Sequence, residues 1–317
     1  MSLYSKFMLC AAGILWAEPS NKAMIPSDHL SSFVMVSPEE MLTINVIEKM
    51  KIQAKWKAIK SAVENAGGRV VTIDGSNQSG GQKEVWARDK YLLVGNVAYL
   101  PDNSVALTLP GNYASEIDQM EIFLRNRGIK IVRVKDAWFE GGNVIQHAKS
   151  KTIFLGFQYE HSAQLLEEAI NKTQPEKYKV LPVDLVNASR PDFSVNQDGS
   201  YLYHLDTGMS EPLAGGEVLL SQDITDPDTF KKIVEIIGHE NIIFLSRKDS
   251  IGYAANLISV GRTVITNTVS EHLRITLQNK GYKVIEGKDF SLDQLGFGNS
   301  GPHCNVNVLP PKNFGII

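Results

Sequence analysis

The sequence is poor in cysteine, in clustered positive charge and in long hydrophobic runs. Its 317 residues include two cysteines, Cys10 and Cys304, and a single possible pair is a weak disulfide framework, so we expect a reducing compartment. Lysines and arginines are scattered at a formal net charge of -3, which excludes the basic stripe typical of nucleic-acid binding. No apolar stretch has the length of a membrane span. We therefore predict a cytoplasmic globular protein with neither nucleic acid nor membrane as a partner.

The N-terminal region is the exception to that picture. Lys6 is followed by an apolar run, 7–17, with the length and polarity of a signal-peptide core, so export is the alternative location. No small-x-small cleavage site follows closely, which favours an extension that packs against the main domain. We predict an N-terminal extension over residues 1–32 and, because no linker is visible, a single domain over residues 33–317.

The sequence also lacks a glycine-rich phosphate loop after its first predicted strand, where Ser-Pro-Glu-Glu stands at 37–40. It contains instead five repeats of strand, helix and strand. Amphipathic helices are predicted at 42–66, 115–127, 161–173, 226–237 and 270–280. Strands are predicted before them at 33–36, 91–99, 152–157, 217–221 and 257–266, and after them at 69–73, 130–134, 178–182, 241–245 and 282–286. Four helix ends carry a glycine suited to a left-handed cap: Gly67, Gly128, Gly238 and Gly281.

This repeat predicts an α/β fold of five similar modules. Each module would bury one helix face against its own small sheet, and five modules could close into a ring. A doubly wound parallel sheet also alternates strands and helices and is the competing interpretation. The missing phosphate loop argues against that alternative.

Four short polar motifs lie at equivalent strand ends of the modules. They are Trp86-Ala87-Arg88-Asp89, Phe139-Glu140-Gly141-Gly142-Asn143, Tyr203-His204-Leu205-Asp206-Thr207 and Gly301-Pro302-His303-Cys304. Taken singly, each has an ordinary structural explanation, such as a surface ion pair, a turn, or two side chains on one face of a strand. Together they predict one acid-rich pocket with a histidine and a cysteine, a composition suited to thiol catalysis on a cationic substrate.

Cys304 follows a turn-forming run and precedes a segment typical of a strand. Gly301 and Pro302 favour a tight turn, and Val306 and Val308 alternate with two asparagines. A free cysteine is commonly a small buried hydrophobic residue, so a structural role is the alternative to a nucleophile.

The four motifs, in this order and with Asn256-Leu-Ile-Ser-Val-Gly between the last two, resemble the guanidine-modifying enzymes of the pentein fold. That superfamily includes dimethylarginine dimethylaminohydrolase, arginine deiminase, agmatine deiminase and the amidinotransferases. The resemblance covers residues 33 to 312 and implies a five-bladed α/β propeller of ββαβ-type modules. It also implies a small guanidino substrate and no metal or cofactor, with residues 33–317 as the catalytic domain.

The resemblance implies a role for each polar residue of the motifs. They are the nucleophile Cys304, the general acid and base His204, the carboxylate Glu140 beside it, the guanidinium-binding Asp89 and Asp206, and two further substrate-site residues, Arg88 and Asn143. Many relatives have an aspartate where Asn143 stands. A histidine directly before the cysteine, here His303, is similar to the motif of agmatine deiminases. The Gly-Pro before that histidine is similar to the motif of arginine deiminases.

Three functions remain open at this point. The first is a cysteine-dependent hydrolase that converts a guanidine to a urea through a covalent thiouronium. The second is an amidinotransferase, which passes the amidino group to an amine instead of water. The third is a pentein-fold binding protein without catalysis, since a fold does not fix a function.

Overall fold

The computed structural model describes residues 31–38, 46–74, 86–106, 113–156, 161–185, 202, 204–290 and 301–310. Cys10, Tyr203 and nearly all of the predicted N-terminal extension lie outside these ranges.

Helices and strands alternate along the described chain. The helices are α1 (Val46–Asn65), α2 (Asn103–Ala106), α3 (Tyr113–Arg125), α4 (Ser162–Thr173), α5 (Leu205–Gly208), α6 (Pro227–Ile237), α7 (Arg247–Ile251) and α8 (Glu271–Asn279). The strands are β1 (Ser32–Ser37), β2 (Arg69–Asp74), β3 (Leu92–Val94), β4 (Val97–Pro101), β5 (Lys130–Val134), β6 (Val144–His147), β7 (Thr152–Gly156), β8 (Lys179–Val183), β9 (Val218–Ser221), β10 (Ile242–Leu245), β11 (Ile258–Val260), β12 (Thr263–Thr266), β13 (Lys283–Glu286) and β14 (Asn307–Leu309). The described parts of all five predicted helices and of the strands beside them are confirmed, with boundaries shifted by a few residues, except that the predicted strands 91–99 and 257–266 are each an antiparallel pair, β3 with β4 and β11 with β12. Residues 42–45 and 157 of the predicted elements lie outside the described residues. None of the described helices is both long and apolar enough to cross a bilayer.

The strands form small separate sheets with one repeated pattern. The sheet orders are β14-β1-β2, β3-β4-β5, β6-β7-β8, β10-β9 and β11-β12-β13. In the three-stranded sheets the middle strand pairs antiparallel with one neighbour and parallel with the other, and a helix connects the parallel pair. Within the described residues no sheet exceeds three strands, so the doubly wound alternative is wrong.

The apolar cores lie between neighbouring sheets. Five clusters join the sheets of β1 and β4, of β4 and β7, of β7 and β9, of β9 and β12, and of β12 and β1. Each predicted helix therefore packs where two sheets meet, and the last sheet packs against the first. The pairing of β14 with β1 also joins the two ends of the described chain in one sheet.

Left-handed glycines end the helices, as predicted. Gly67, Gly128, Gly238 and Gly281 have φ angles of 89°, 72°, 86° and 83°. At the start of α6, the Asp226 side chain accepts from the backbone N–H groups of Asp228 and Thr229, and Pro227 occupies the first turn.

The strand predicted after Cys304 is present as β14, but its asparagine and not its valine points inward. Asn307 is buried at 1% exposure, whereas Val308 is 41% exposed. Asn307 Nδ2 donates to the carbonyls of Ala87, Arg88 and Tyr91. An amide with three acceptors is satisfied in the interior, so these hydrogen bonds decide which face of β14 points inward.

Candidate active site

Five polar turns precede β3, β6, β11, β14 and the bridge residue Met209, each of which pairs antiparallel with a neighbouring strand. They place Asp89 in the turn Ala87–Lys90, Asn143 in Gly141–Asn143, Asp206 in α5, Asn256 just before β11, and Cys304 in Pro302–Asn305. The turn of Asp89 contacts both the turn of Asn143 and the turn of Cys304, and α5 contacts the turn of Asn143. The repeat thus brings distant sequence positions together at one end of the sheets.

Five of the predicted residues are buried and close enough to act on one another's pKa values, and we call them the thiol cluster: Asp89, Glu140, His204, Asp206 and Cys304. His204 stands between two of the carboxylates. Its Nε2 lies 2.9 Å from Glu140 Oε2 and its Nδ1 lies 3.5 Å from Asp89 Oδ1. Both ring nitrogens thus face an acceptor, which fixes the plane of the imidazole.

The charges of the cluster shift two pKa values. Burial by itself lowers the pKa of His204, but Asp89 and Glu140 outweigh it and raise that pKa to about 9. Burial raises the pKa of Asp89 to about 6, with Glu140 and Asp206 adding to the rise and His204 and Lys90 opposing it. At neutral pH the histidine is therefore an imidazolium held by carboxylates.

Gly142 allows this close packing. A Cβ at this position would lie 2.5 Å from His204 Nδ1 and 2.8 Å from Asp89 Oδ1. Its backbone N–H also donates to Asp89 Oδ1 at 3.2 Å. The second glycine of the Glu-Gly-Gly motif is thus required because the His204 and Asp89 side chains pack directly against its backbone, which an ordinary turn would not demand.

The thiol is held by an asparagine from the fifth module. Asn256 Nδ2 donates to Cys304 Sγ at 3.1 Å, and Asn256 Oδ1 accepts from the backbone N–H of Gly301 at 3.0 Å and of Cys304 at 3.3 Å. Cys304 Sγ lies 3.9 Å from Asp206 Oδ2. Burial, then Asp206 and Asp89, raise the pKa of Cys304 well above its ordinary value, while Asn256 and Arg88 oppose the rise. Without a bound cation, the thiol is protonated.

The two carboxylate oxygens of Asp206 differ in their hydrogen bonding. His303 Nδ1 donates to Asp206 Oδ2 at 2.9 Å. Asp206 Oδ1 is buried and has no hydrogen-bond partner within the described part of the chain. A buried carboxylate oxygen without a donor is costly, so a donor supplied by a ligand would stabilise it.

Asn143 supports the turn that carries Asp206. Its Oδ1 accepts from the backbone N–H of Leu205 at 3.1 Å, and Gly156 leaves room for this contact because a Cβ there would lie 2.5 Å from Oδ1. Asn143 Nδ2 is buried and, among the described residues, has no partner.

Arg88 is paired outside the thiol cluster. Its Nη2 donates to Val144 O at 2.5 Å and to Glu211 Oε1 at 2.6 Å. Its carboxylate partner Glu211 lies outside all four sequence motifs. Arg88 also lines a cavity whose lining does not include Asp89.

Sequence reasoning missed the roles of three residues near the thiol. Asn256 and His303 stood in the motifs but had no predicted contact, and Glu211 was not considered. A signal for Asn256 was available, because an aspartate or asparagine lies one to three residues before β3, β6, the bridge residue Met209, β11 and β14: Asp89, Asn143, Asp206, Asn256 and Asn305.

The ligand atoms of Asp89, Glu140 and His204 lie within 4.8 Å of one another, close enough to surround a metal ion. The same atoms are already paired with each other through hydrogen bonds and ion pairs, an arrangement that equally serves to orient an imidazole. The absence of a metal from the proposed chemistry stays a prediction.

Comparisons with known proteins show what this architecture is similar to. No family model matches the chain. An uncharacterized protein of Caenorhabditis elegans is 26% identical over 308 residues, which is 92% of this chain and 98% of that protein. Among solved structures, the N-terminal domain of ArgZ with bound product, an arginine dihydrolase from the ornithine-ammonia cycle in cyanobacteria, matches with a TM-score of 0.69 at 19% identity. That match covers 89% of this chain and 99% of the other.

Two further solved structures are similar to the chain. Unliganded AgrE matches with a TM-score of 0.70 at 18% identity, over 89% of this chain and 40% of that longer chain. A dimethylarginine dimethylaminohydrolase adduct matches with a TM-score of 0.64 at 16% identity, over 88% of this chain and 100% of that one. The chain therefore has the mixed α/β fold of the pentein guanidine-modifying enzymes, as the motifs predicted.

Proposed function

We propose that the protein is a cysteine-dependent hydrolase of a small guanidino compound. The observation that carries the proposal is the carboxylate of Asp206: its Oδ2 lies 3.9 Å from the Cys304 thiol, and its buried Oδ1 has no hydrogen-bond partner among the described residues. A guanidinium is planar and cationic, and it donates hydrogen bonds to carboxylates in its own plane. Asp206 and Asp89 would hold it so that its central carbon faces the sulfur, and that positioning supplies much of the rate advantage.

Binding of the cation prepares the nucleophile. The negative charges of Asp206 and Asp89 contribute to the raised pKa of Cys304, and a bound guanidinium opposes both of them. The thiol therefore releases its proton to bulk water as the cation enters, so that one positive charge replaces another, and it stays protonated and unreactive in the empty site. Arg88 and the Asn256 amide also favour the thiolate.

His204 serves both halves of the reaction. The thiolate forms a bond to the guanidinium carbon, and the imidazolium protonates the leaving nitrogen as its bond to carbon breaks. A covalent thiouronium remains on Cys304, and His204 is now neutral. The imidazole then deprotonates a water that attacks the same carbon, so that collapse releases a urea and restores the sulfur. Glu140 keeps the ring oriented and stabilises its charged form.

Two observations, one on the structural neighbours and one on the fold, support the proposal. ArgZ is named an arginine dihydrolase and the third neighbour a dimethylarginine dimethylaminohydrolase, both of which act on guanidines. The apolar clusters join the five sheets in cyclic order, from which we infer that the modules are the blades of a five-bladed propeller. We also infer that residues 33–317 form one catalytic domain.

The test is turnover of guanidines by the purified protein. Arginine, methylated arginines, agmatine and smaller guanidines are incubated separately, and ureido product and released amine are measured. We expect a ureido product from at least one guanidine and none from the Cys304→Ser variant. A parallel incubation with glycine as acceptor distinguishes an amidinotransferase, which would form a new guanidine. No turnover of any guanidine, by a folded protein, would contradict the proposal.

A further inference from the structure

A cavity lies next to the thiol cluster, and none of the five cluster residues lines it. Its volume is about 420 Å³, and its lining comes from all five modules. Asp89, Glu140, His204, Asp206 and Cys304 are absent from that lining. A cavity of this size can bury most of a small organic molecule.

We propose that this cavity is a second small-molecule site, which takes a short-chain monocarboxylate and alters the reactivity of Cys304. Most of the wall is apolar, from side chains such as Leu92, Leu93, Leu257, Ile258 and Val306. Ligand sites of this kind bury an apolar body and orient it with a few polar groups.

Charge complementarity favours an anion. Arg88 and Lys149 carry two positive charges against the single negative charge of Glu211, so with neutral histidines the wall has a net charge of +1. Arg88 is 4% exposed, and Nη2 supplies its two hydrogen bonds to Val144 and Glu211. Its Nε is buried and, within the described residues, has no partner. A carboxylate matches the remaining donors, whereas Glu211 would repel a dianion.

The cavity and the thiol cluster share one wall. Arg88 precedes Asp89 in the same turn, and His303 lines the cavity while its Nδ1 donates to Asp206. Asn307, also in the lining, fixes the backbone of the turn that carries Asp89. A ligand that shifts these three side chains changes the positions of the two carboxylates that control the thiol. Coupling between the two sites follows, and it is reciprocal.

Hexanoate is the probe, and 1-hexanol provides the same apolar chain without the charge. Binding is followed by calorimetry, and Cys304 reactivity by the rate of alkylation with chloroacetamidine, so neither readout depends on turnover. We expect saturable hexanoate binding, weaker binding of 1-hexanol, and an alkylation rate that changes as the site fills. Binding of both probes with equal affinity would contradict the electrostatic argument, and no saturable hexanoate binding would overturn the site.

Matched variants locate the site. Lys149→Gln removes a positive charge from the wall, so hexanoate affinity should fall roughly two- to fivefold, as expected for a solvent-facing ion pair. Lys151→Gln is the control, because Lys151 pairs with Glu176 and does not line the cavity. Glu211→Gln removes the negative charge from the wall and should therefore raise the hexanoate affinity.

An equal effect of Lys149→Gln and Lys151→Gln, or a loss of affinity in Glu211→Gln, would place the bound hexanoate elsewhere. Binding at the cavity that leaves the alkylation rate unchanged would overturn the coupling. All of these outcomes are independent of whether the protein hydrolyses a guanidine.

Discussion

At the scale of single residues, Cys304 and His204 have distinct duties in the proposed reaction. Cys304→Ser should abolish turnover while substrate binding persists, since an alcohol resembles the thiol in shape but ionises far less readily. His204→Ala should also be inactive, because neither the leaving nitrogen nor the water then has a proton partner. The measurement is kcat beside substrate affinity from calorimetry. Cys10→Ser is the control and should leave activity unchanged; near-full activity of Cys304→Ser would assign the thiol a structural role.

His204 also makes the stability of the fold depend on pH. Its pKa is raised from 6.5 to about 9, so the folded state holds a proton that the unfolded state releases between these values. The stabilisation is fully present below about pH 6.5 and is lost as pH rises through 9. At 1.36 kcal/mol per pKa unit the loss is on the order of 3 kcal/mol. Urea unfolding at pH 6.5 and pH 9 measures it, and His204→Gln should remove most of the difference.

Asn256 contacts both the Cys304 thiol and the backbone of the turn that carries it, and substitutions of Asn256 can distinguish the effects of these two contacts. Asn256→Asp keeps an oxygen for the backbone N–H groups of Gly301 and Cys304, but it directs a negative charge at the sulfur. The pKa of Cys304 should rise further and the alkylation rate at neutral pH should fall at least about tenfold, which corresponds to one pKa unit. Asn256→Ala removes the contact without adding charge and should have a smaller effect on the pH profile. Unchanged alkylation in Asn256→Asp would exclude this contact with the thiol.

At the scale of elements, glycines that look alike in the sequence differ in what they permit. Gly142→Ala places a Cβ against His204 and Asp89, so activity should fall strongly. Gly67→Ala meets no atom within 4 Å, but φ is +89°, so it should cost about 1 to 2 kcal/mol of stability and leave kcat unchanged. Unfolding free energies and kcat for the two variants measure the contrast. Equal losses of kcat would show that Gly142 has no special relation to the imidazole.

The elements themselves were predictable and the contacts between them were not. Periodicity located the helices because each buries one face, and glycine located their ends. Polar motifs at repeated strand ends also indicated which residues would meet. Arg88 shows the limit of this reasoning, since its partner Glu211 lies 123 positions away and no local pattern relates them. Asn256 was missed although an aspartate or asparagine recurs at its position in the other modules, because its contact with the sulfur depends on how the turn before β11 packs beside the turn of Cys304.

At the scale of the whole molecule, β14 connects the end of the described chain to its beginning. It pairs antiparallel with β1, from Ser32 opposite Leu309 to Val34 opposite Asn307. Asn307 extends this connection into the second module through the carbonyls of Ala87, Arg88 and Tyr91, more than 210 positions away. The strand that follows Cys304 and the turn of Asp89 are thus held by one side chain.

Two neighbouring substitutions test that connection. Asn307→Ala leaves buried carbonyls without a donor, so we expect a loss of about 1 to 3 kcal/mol in unfolding free energy and a lower kcat through displaced Asp89. Val308→Ala removes an apolar side chain that is 41% exposed and should cost less than about 1 kcal/mol. If hydrophobicity alone decided stability, Val308→Ala would lose more unfolding free energy than Asn307→Ala, because truncating a valine removes more apolar surface than truncating an asparagine. Chemical denaturation of both variants, with kcat for each, decides the matter: a larger loss in Val308→Ala would mean that β14 is held by apolar packing and that the Asn307 hydrogen bonds contribute little.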